Sequence, residues 1–183
     1  MKKVSINHFS GDAVDLAKFL LGKLIEYKGH KAMIVETEAY KDDQASHANK
    51  ITPRSEIMYS THGHVYVYLI YGMYHCLNFT TNKGERGAVL IRALEPLEGL
   101  EEMHKRRKTD KIHNLCSGPG KLCQALNITK EINSTKIHDK LKLYHYKEIP
   151  EEDIHATTRI GITKALELPW RFYIKKNKFI SKS

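Results

Sequence analysis

Glu36 and Glu38 bracket Thr37 in the run Val35-Glu36-Thr37-Glu38-Ala39-Tyr40. At i, i+2 in an undistorted strand both carboxylates face one side, a spacing compatible with acid and base work on a glycosidic bond. Residue pattern alone favours the plainer reading of two exposed glutamates on a sheet edge, because charged side chains are seldom buried. Further along, Tyr66, Tyr68, Tyr71 and Tyr74 fall within nine residues. Tyrosine joins a flat stacking face to a polar tip and so suits nucleobases, although it is also an ordinary strand residue. Tyr71 is the exception: beside Gly72 at a hairpin tip it has little core to enter. His47, in a polar loop, is a candidate for stacking or hydrogen bonding against the commoner role of a solvated histidine. His62-Gly63-His64 has no HExxH, second pair or cysteine spacing to complete a metal site, so no metal is expected. There is no GxGxxG, Walker or GxSxG sequence, and no cofactor is expected.

Mixed helices and strands must position these groups. Residues 12–21 read as a helix capped by Asp12, with Val14, Ala17 and Leu21 on one stripe and Gly22 as the stop. Residues 23–27 and 31–37 flank Lys28-Gly29-His30 as a hairpin leading into Glu38-Ala39-Tyr40. Residues 41–54, closed by Thr52-Pro53, form a polar loop of the kind that carries functional residues. Residues 65–71 and 74–80 make the tyrosine hairpin, with Tyr71 to Tyr74 near its tip, and 88–94 a third strand. Glu95-Pro96-Leu97 predicts a helix start, with Leu97, Leu100 and Met103 at i, i+3 spacing ahead of the basic run 105–108. Ser117-Gly118-Pro119-Gly120 reads as a loop opening a helix, with free backbone N–H groups and Lys121 suited to an anion. A strand is possible at 141–146, and closing strands are expected at 159–163 and 170–174.

The 183 residues suffice for one domain, 1–183, with a core of its own. Thirty Lys and Arg against 21 Asp and Glu give a formal charge of +9, which attracts phosphate backbones. A membrane partner is disfavoured, as no apolar run approaches the ~20 residues that span a bilayer. The N-terminus places charge at Asp12, Asp15 and Lys18 where a signal peptide is apolar. A soluble intracellular protein is expected, in cytoplasm or nucleoid if bacterial, with a nuclear place left open. Cys76, Cys116 and Cys123 match neither a disulfide framework nor metal knuckles and read as free thiols.

Taken in order, VETEAY at 35–40, the later histidine with Thr52-Pro53-Arg54, YVYLIYGMYHCLN at 66–78, LIRALEPLEGLE at 90–101, LCSGPGKLCQAL at 115–126 and RFY at 171–173 resemble the alkyladenine type of 3-methyladenine DNA glycosylase. The resemblance runs over about residues 10–175. It implies an α+β fold: one mixed domain with a curved antiparallel sheet, surrounding helices, and a protruding hairpin that enters the DNA minor groove. It assigns Glu38 as the base that activates water against the anomeric carbon, while Glu36 matches the motif but not the catalytic position. Tyr40, His47 and Tyr68 are implied to line a pocket for the flipped base, and Tyr71 to fill the gap left in the duplex. Asn78 is implied at the purine edge, disfavouring a normal guanine amino group, and Arg92 as an active-site or backbone-contacting cation. The implied partner is double-stranded DNA carrying damaged purines, bound by a monomer without cofactor. The competing reading is a non-catalytic module that binds damaged DNA through the same hairpin. A metal hydrolase built on His62 and His64 is a distant third.

Overall fold

The computed structural model of the protein describes residues 1–47, 50–81 and 86–182. Residues 48 and 49 of the expected polar loop lie outside the described residues. A curved antiparallel sheet of eight strands dominates, in the order β3-β4-β5-β2-β1-β6, with β8 pairing β2 and β7 pairing β8. The strands are β1 (Leu24–Tyr27), β2 (His30–Tyr40), β3 (Val65–Ile70), β4 (Tyr74–Thr81), β5 (Gly87–Glu98), β6 (Lys142–Tyr144), β7 (Ile154–Thr157) and β8 (Arg171–Ile174). The helices are α1 (Ala13–Leu20), α2 (Ile57–Ser60), α3 (Leu100–Arg107) and α4 (Pro119–Leu126).

Asp12 caps α1 as expected, accepting from Val14 N at 2.7 Å, a contact worth about 1 kcal/mol. The helix buries Ala13, Leu16, Ala17 and Leu20; of the expected stripe, Ala17 and Leu21 lie in the core and Val14 is only partly buried against it. These residues pack with Ile34, Val89 and Ile91 of the sheet and Met103, Leu122 and Leu126 of the later helices into the main core. Lys28 and Gly29 take positive φ values of 47° and 79° in a two-residue hairpin whose strands then pair from Tyr27↔His30.

Two expectations fail for identifiable reasons. Residues 95–97 continue β5 and do not begin a helix. β4 pairs with β5 only as far as Leu90, so Pro96 lies where that side of the strand is unpaired, opposite a register shift at Lys31/Ala32. Proline is tolerated at such edges and bulges. The helix starts at Leu100 after Gly99, whose φ is +80° and whose missing Cβ would lie 2.6 Å from the His30 ring. Residues 159–163 are likewise irregular, and the strand before them is β7, which starts five residues ahead of the expected closing strand. All three cysteines are buried free thiols.

Candidate active site

The centre of the site is set by a paired irregularity in β2 and β5. Ile34 faces Leu94 and Glu36 faces Ala93, so Val35 is an extra residue in β2; Glu36 faces Ala93 and Thr37 faces Ile91, so Arg92 is an extra residue in β5. Ala32 and Ile34 belong to the main core, as does Ala39, whereas Met33 and Val35 form a separate cluster with Ala93. The even positions point into the main core before the bulge and the odd ones after it. Bulges re-aim side chains in this way. Thr37 accordingly turns toward α1, donating to Ala17 O at 2.9 Å, while Glu36 and Glu38 share the opposite face with Arg92.

Both glutamates are fully buried, which overturns the reading of exposed charges on a sheet edge. Their surroundings differ. Glu36 accepts from Arg171 Nε at 2.7 Å, Arg92 Nε at 3.2 Å, Ser181 Oγ at 2.8 Å and Ser181 N at 2.5 Å. Glu38 accepts from Ile160 N at 2.7 Å and Tyr40 Oη at 2.8 Å, with Arg92 Nη1 3.3 Å away. Burial pushes the Glu38 carboxyl above its ordinary value of 4.5, against the opposing pull of Arg92, the Ile160 N–H and the Tyr40 hydroxyl. Burial and the neighbouring Glu38 push the Tyr40 phenol up, so it stays a donor.

Beside Glu38 lies a cavity of about 240 Å³ whose lining includes Tyr40, His47, Tyr66, Tyr68, Asn78 and Arg92. It is smaller than the clefts of roughly 300–1,000 Å³ that take drug-sized molecules, and fits one flat ring system. Strand pairing explains the convergence: Tyr66 faces Asn78 and Tyr68 faces Cys76, so all four point to one side. Asn78 is held by donating to Tyr66 O at 3.1 Å and Cys76 O at 3.3 Å. His47 stands at the rim, its ring edge-on to Tyr68 at 4.7 Å and its Nδ1 3.0 Å from Tyr66 Oη. Desolvation by these neighbours, then the Arg54 charge, lowers its pKa below 6.5 and favours a neutral ring.

Residue-type reasoning missed several groups that hold this geometry. Arg159 forms a fork on Asp43, with Nη2···Oδ1 2.8 Å and Nη1···Oδ2 3.1 Å, and donates to Ala39 O at 3.1 Å. Its guanidinium lies over the rings of Tyr40 and Trp170, at 4.8 and 5.3 Å. Asp43 in turn accepts from Ala45 N at 2.9 Å, organising the turn that leads to His47. The segment 159–162 is irregular because the Ile160 N–H is committed to Glu38 and cannot join a strand ladder. An arginine in a polar stretch carries no periodic signal that separates it from a solvated one. Tyr66, by contrast, was visible in the tyrosine cluster, yet only the β3–β4 pairing puts it on the cavity wall.

The tyrosine hairpin has the expected tip. Met73 N donates to Ile70 O at 3.2 Å, and Tyr71 and Gly72 take φ values of 52° and 69°, the pattern of a type I′ turn. Left-handed backbone costs a tyrosine about 1–2 kcal/mol. It leaves the Tyr71 ring 79% exposed, next to the exposed Met73 and Tyr74. A groove of about 470 Å³ runs from this tip past Arg107, Gly118 and Lys121 and shares Cys76, Arg92, Pro119 and Ile160 with the cavity. The Gly118-Pro119 opening of α4 is as expected. His62 and His64 do not converge: His64 Nδ1 is bonded to His62 O at 3.0 Å. Among the described residues, no group of three or more His, Cys, Asp or Glu is placed to hold a metal ion, and no helix is long and apolar enough to cross a membrane.

The chain is similar to proteins across bacteria and archaea. The family model described as methylpurine-DNA glycosylase (MPG) matches residues 7–178. A relative from Prosthecochloris aestuarii is 45% identical over 193 residues, covering 100% of this chain and 93% of its own. Relatives from Agrobacterium fabrum and Methanoculleus marisnigri are 46% and 45% identical, over 98% and 95% of this chain and 93% and 96% of theirs. All three carry the name "Putative 3-methyladenine DNA glycosylase".

Proposed function

Because the chain belongs to the methylpurine-DNA glycosylase family, we propose that it is a hydrolytic, monofunctional DNA glycosylase that removes alkylated or otherwise damaged purines from duplex DNA in base excision repair. It acts as a monomer, with one glycosylase domain over residues 1–183. The observation that supports this reading is a fully buried carboxylate, Glu38, bonded to the lining residues Tyr40 and Ile160 immediately behind the wall of a small aromatic cavity beside an exposed tyrosine tip.

A base within a duplex is out of reach until it is extruded, at a cost of a few kcal/mol in lost stacking and pairing. Tyr71 offsets part of that by entering the vacated stack. The extruded purine enters between Tyr40, His47 and Tyr68. Alkylation at N3 of adenine or N7 of guanine makes the base cationic, and aromatic faces attract it by roughly 0.5–2 kcal/mol. Asn78, fixed by its two backbone contacts, stands at the purine edge where a normal guanine brings its amino group. The cationic base is already a good leaving group, so the protein has mainly to supply the nucleophile and support positive charge on the sugar. Glu38 does both: its ionised carboxylate takes a proton from water and faces the developing charge. A raised pKa makes it the stronger base. Arg92 at 3.3 Å orients that carboxylate, and Lys121 and Arg107 in the groove meet backbone phosphates.

The test is release of free base from duplexes carrying a methylated purine, hypoxanthine or ethenoadenine. Glu38→Gln is expected to bind these duplexes and lose most excision, because an amide of the same size cannot accept the proton. A folded Glu38→Gln protein with normal single-turnover excision overturns the assignment.

A further inference from the structure

The segment 177–182 crosses the sheet behind the site. Asn177 Nδ2 donates to Glu95 Oε2 at 3.0 Å, and Phe179 and Ile180 pack on Met33, Val35 and Ala93 beside the β2 bulge. Ser181 then delivers two donors to Glu36, and Arg171 joins the same carboxylate from β8 while donating to Lys182 O. Glu36 in turn holds Arg92 Nε, Ser181 Oγ lies 3.5 Å from Arg92 Nη2, and the remaining Nη1 is the nitrogen that meets Glu38.

We propose that Glu36 and Ser181 are positioning residues for base excision: the strap 177–182 fixes Glu36, Glu36 fixes the guanidinium of Arg92, and Arg92 fixes the carboxylate of Glu38. This rests on Glu38 being the catalytic base. Arg92 has one guanidinium to share between two buried carboxylates, so its placement depends on how firmly the first of them is held. With three further contacts, one from Arg171 and two from Ser181, Glu36 cannot turn to follow it. The neighbours that act electrostatically on Glu38 come from four strands: Tyr40 and Glu36 on β2, Arg92 on β5, Tyr68 on β3 and Cys76 on β4. Of these, Arg92 is the cation; Arg171, opposite Glu38 on β8, is committed to Glu36 and to Lys182 O and does not replace it.

Ser181→Ala removes the hydroxyl and leaves the backbone donor and the apolar strap intact. Single-turnover excision is expected to fall roughly tenfold, the effect of losing a hydrogen bond to a charged group, with lesion-duplex affinity and melting temperature nearly unchanged. Ser181→Thr, which keeps the hydroxyl, restores most of the rate. Glu36→Gln lowers the maximal rate and moves the acid limb of the pH–rate profile to higher pH, because Arg92, which acts on Glu38 more strongly than Glu36 does, is no longer held beside it; a limb that moves to lower pH reports only the lost Glu36 charge and counts against positioning. Because Glu36 and Ser181 act through one contact, the double variant loses less than the product of the single losses. Full excision by Ser181→Ala, a loss that tracks melting temperature or affinity, or failure of Thr to restore the rate overturns the proposal. Glu38→Gln in the same assay separates the two readings: if it excises normally the base assignment fails, and if it is inactive while Ser181→Ala is normal only the strap fails.

Discussion

Glu38 is completely buried, and desolvation dominates its titration over the opposing charge of Arg92. An acid whose folded-state pKa is raised contributes stability that is fully present below its unfolded value, here 4.5, and lost as pH rises through the folded value. Glu38→Gln is permanently neutral and can still accept from Ile160 N, so it is expected to melt higher than the parent near neutral pH. The two melting curves converge as pH falls below 4.5. Thermal melts across that range check it, and a Gln variant less stable than the parent at neutral pH contradicts a net desolvation cost. The same shift places the acid limb of excision above the ordinary glutamate range, in a group whose activity depends on the ionised form. Function and stability pull against each other at this residue.

Two elements that do not carry the catalytic carboxylate control access and geometry. The β3–β4 hairpin stores strain at Tyr71, whose ring touches little of the fold. Tyr71→Ala is therefore expected to leave the melting temperature close to that of the parent while lowering occupancy of the flipped state. Excision suffers most for well-paired lesions and least for mismatched ones, where less pairing is sacrificed. Stopped-flow fluorescence of a base analogue beside the lesion, run with thermal denaturation, distinguishes this from a packing role: unchanged flipping in a destabilised protein excludes the wedge. The second element is the irregular segment 159–162. Arg159→Ala leaves Asp43 buried without its fork, a change of about 3–5 kcal/mol for a broken buried pair. It is also expected to loosen Tyr40, the 43–47 turn and the Ile160 contact to Glu38 together. Denaturant unfolding gives the first effect; if excision by the folded variant is untouched, the segment does not organise the site.

At the scale of the molecule, a charge of +9 supplies affinity without sequence preference. Binding to undamaged duplex is expected to weaken linearly on a log–log plot as salt rises, and Lys121→Gln to flatten that slope by about 0.9 for one phosphate contact. An unchanged slope removes Lys121 from the phosphate path. Water as nucleophile predicts a product strand left intact at the abasic site, and activity that survives exhaustive chelation. Chelator-sensitive excision, or a covalent enzyme–DNA adduct trapped by borohydride, contradicts that chemistry.

What depends on neighbouring residues was readable from the chain: the Asp12 cap, the Lys28-Gly29 and Tyr71-Gly72 turns, the Gly118-Pro119 helix start and the ordered motifs that carry Glu38, Tyr40, His47, Tyr68, Tyr71, Asn78 and Arg92. Turns and caps are decided by backbone preferences of a few adjacent residues, which one sequence exposes directly. The structure brings those seven residues to one cavity and its adjoining groove, with Glu38 immediately behind the wall. It does so by means the chain alone does not express. Alternation in β2 has a period and no absolute phase, so which face Glu36 and Glu38 take depends on extra residues at Val35 and Arg92 that exist only once β2 pairs with β5. Pro96 reads as a helix start until the end of β4 leaves its side of β5 unpaired. Arg159 and Ser181 are polar residues in stretches without a clear period; Arg159 is buried and Ser181 half-buried because distant segments close over them, bringing Ser181 onto a carboxylate 145 residues earlier. Contacts of that sequence separation are chosen by the packing of the whole sheet, and so the tertiary structure alone decided how the glutamates are held.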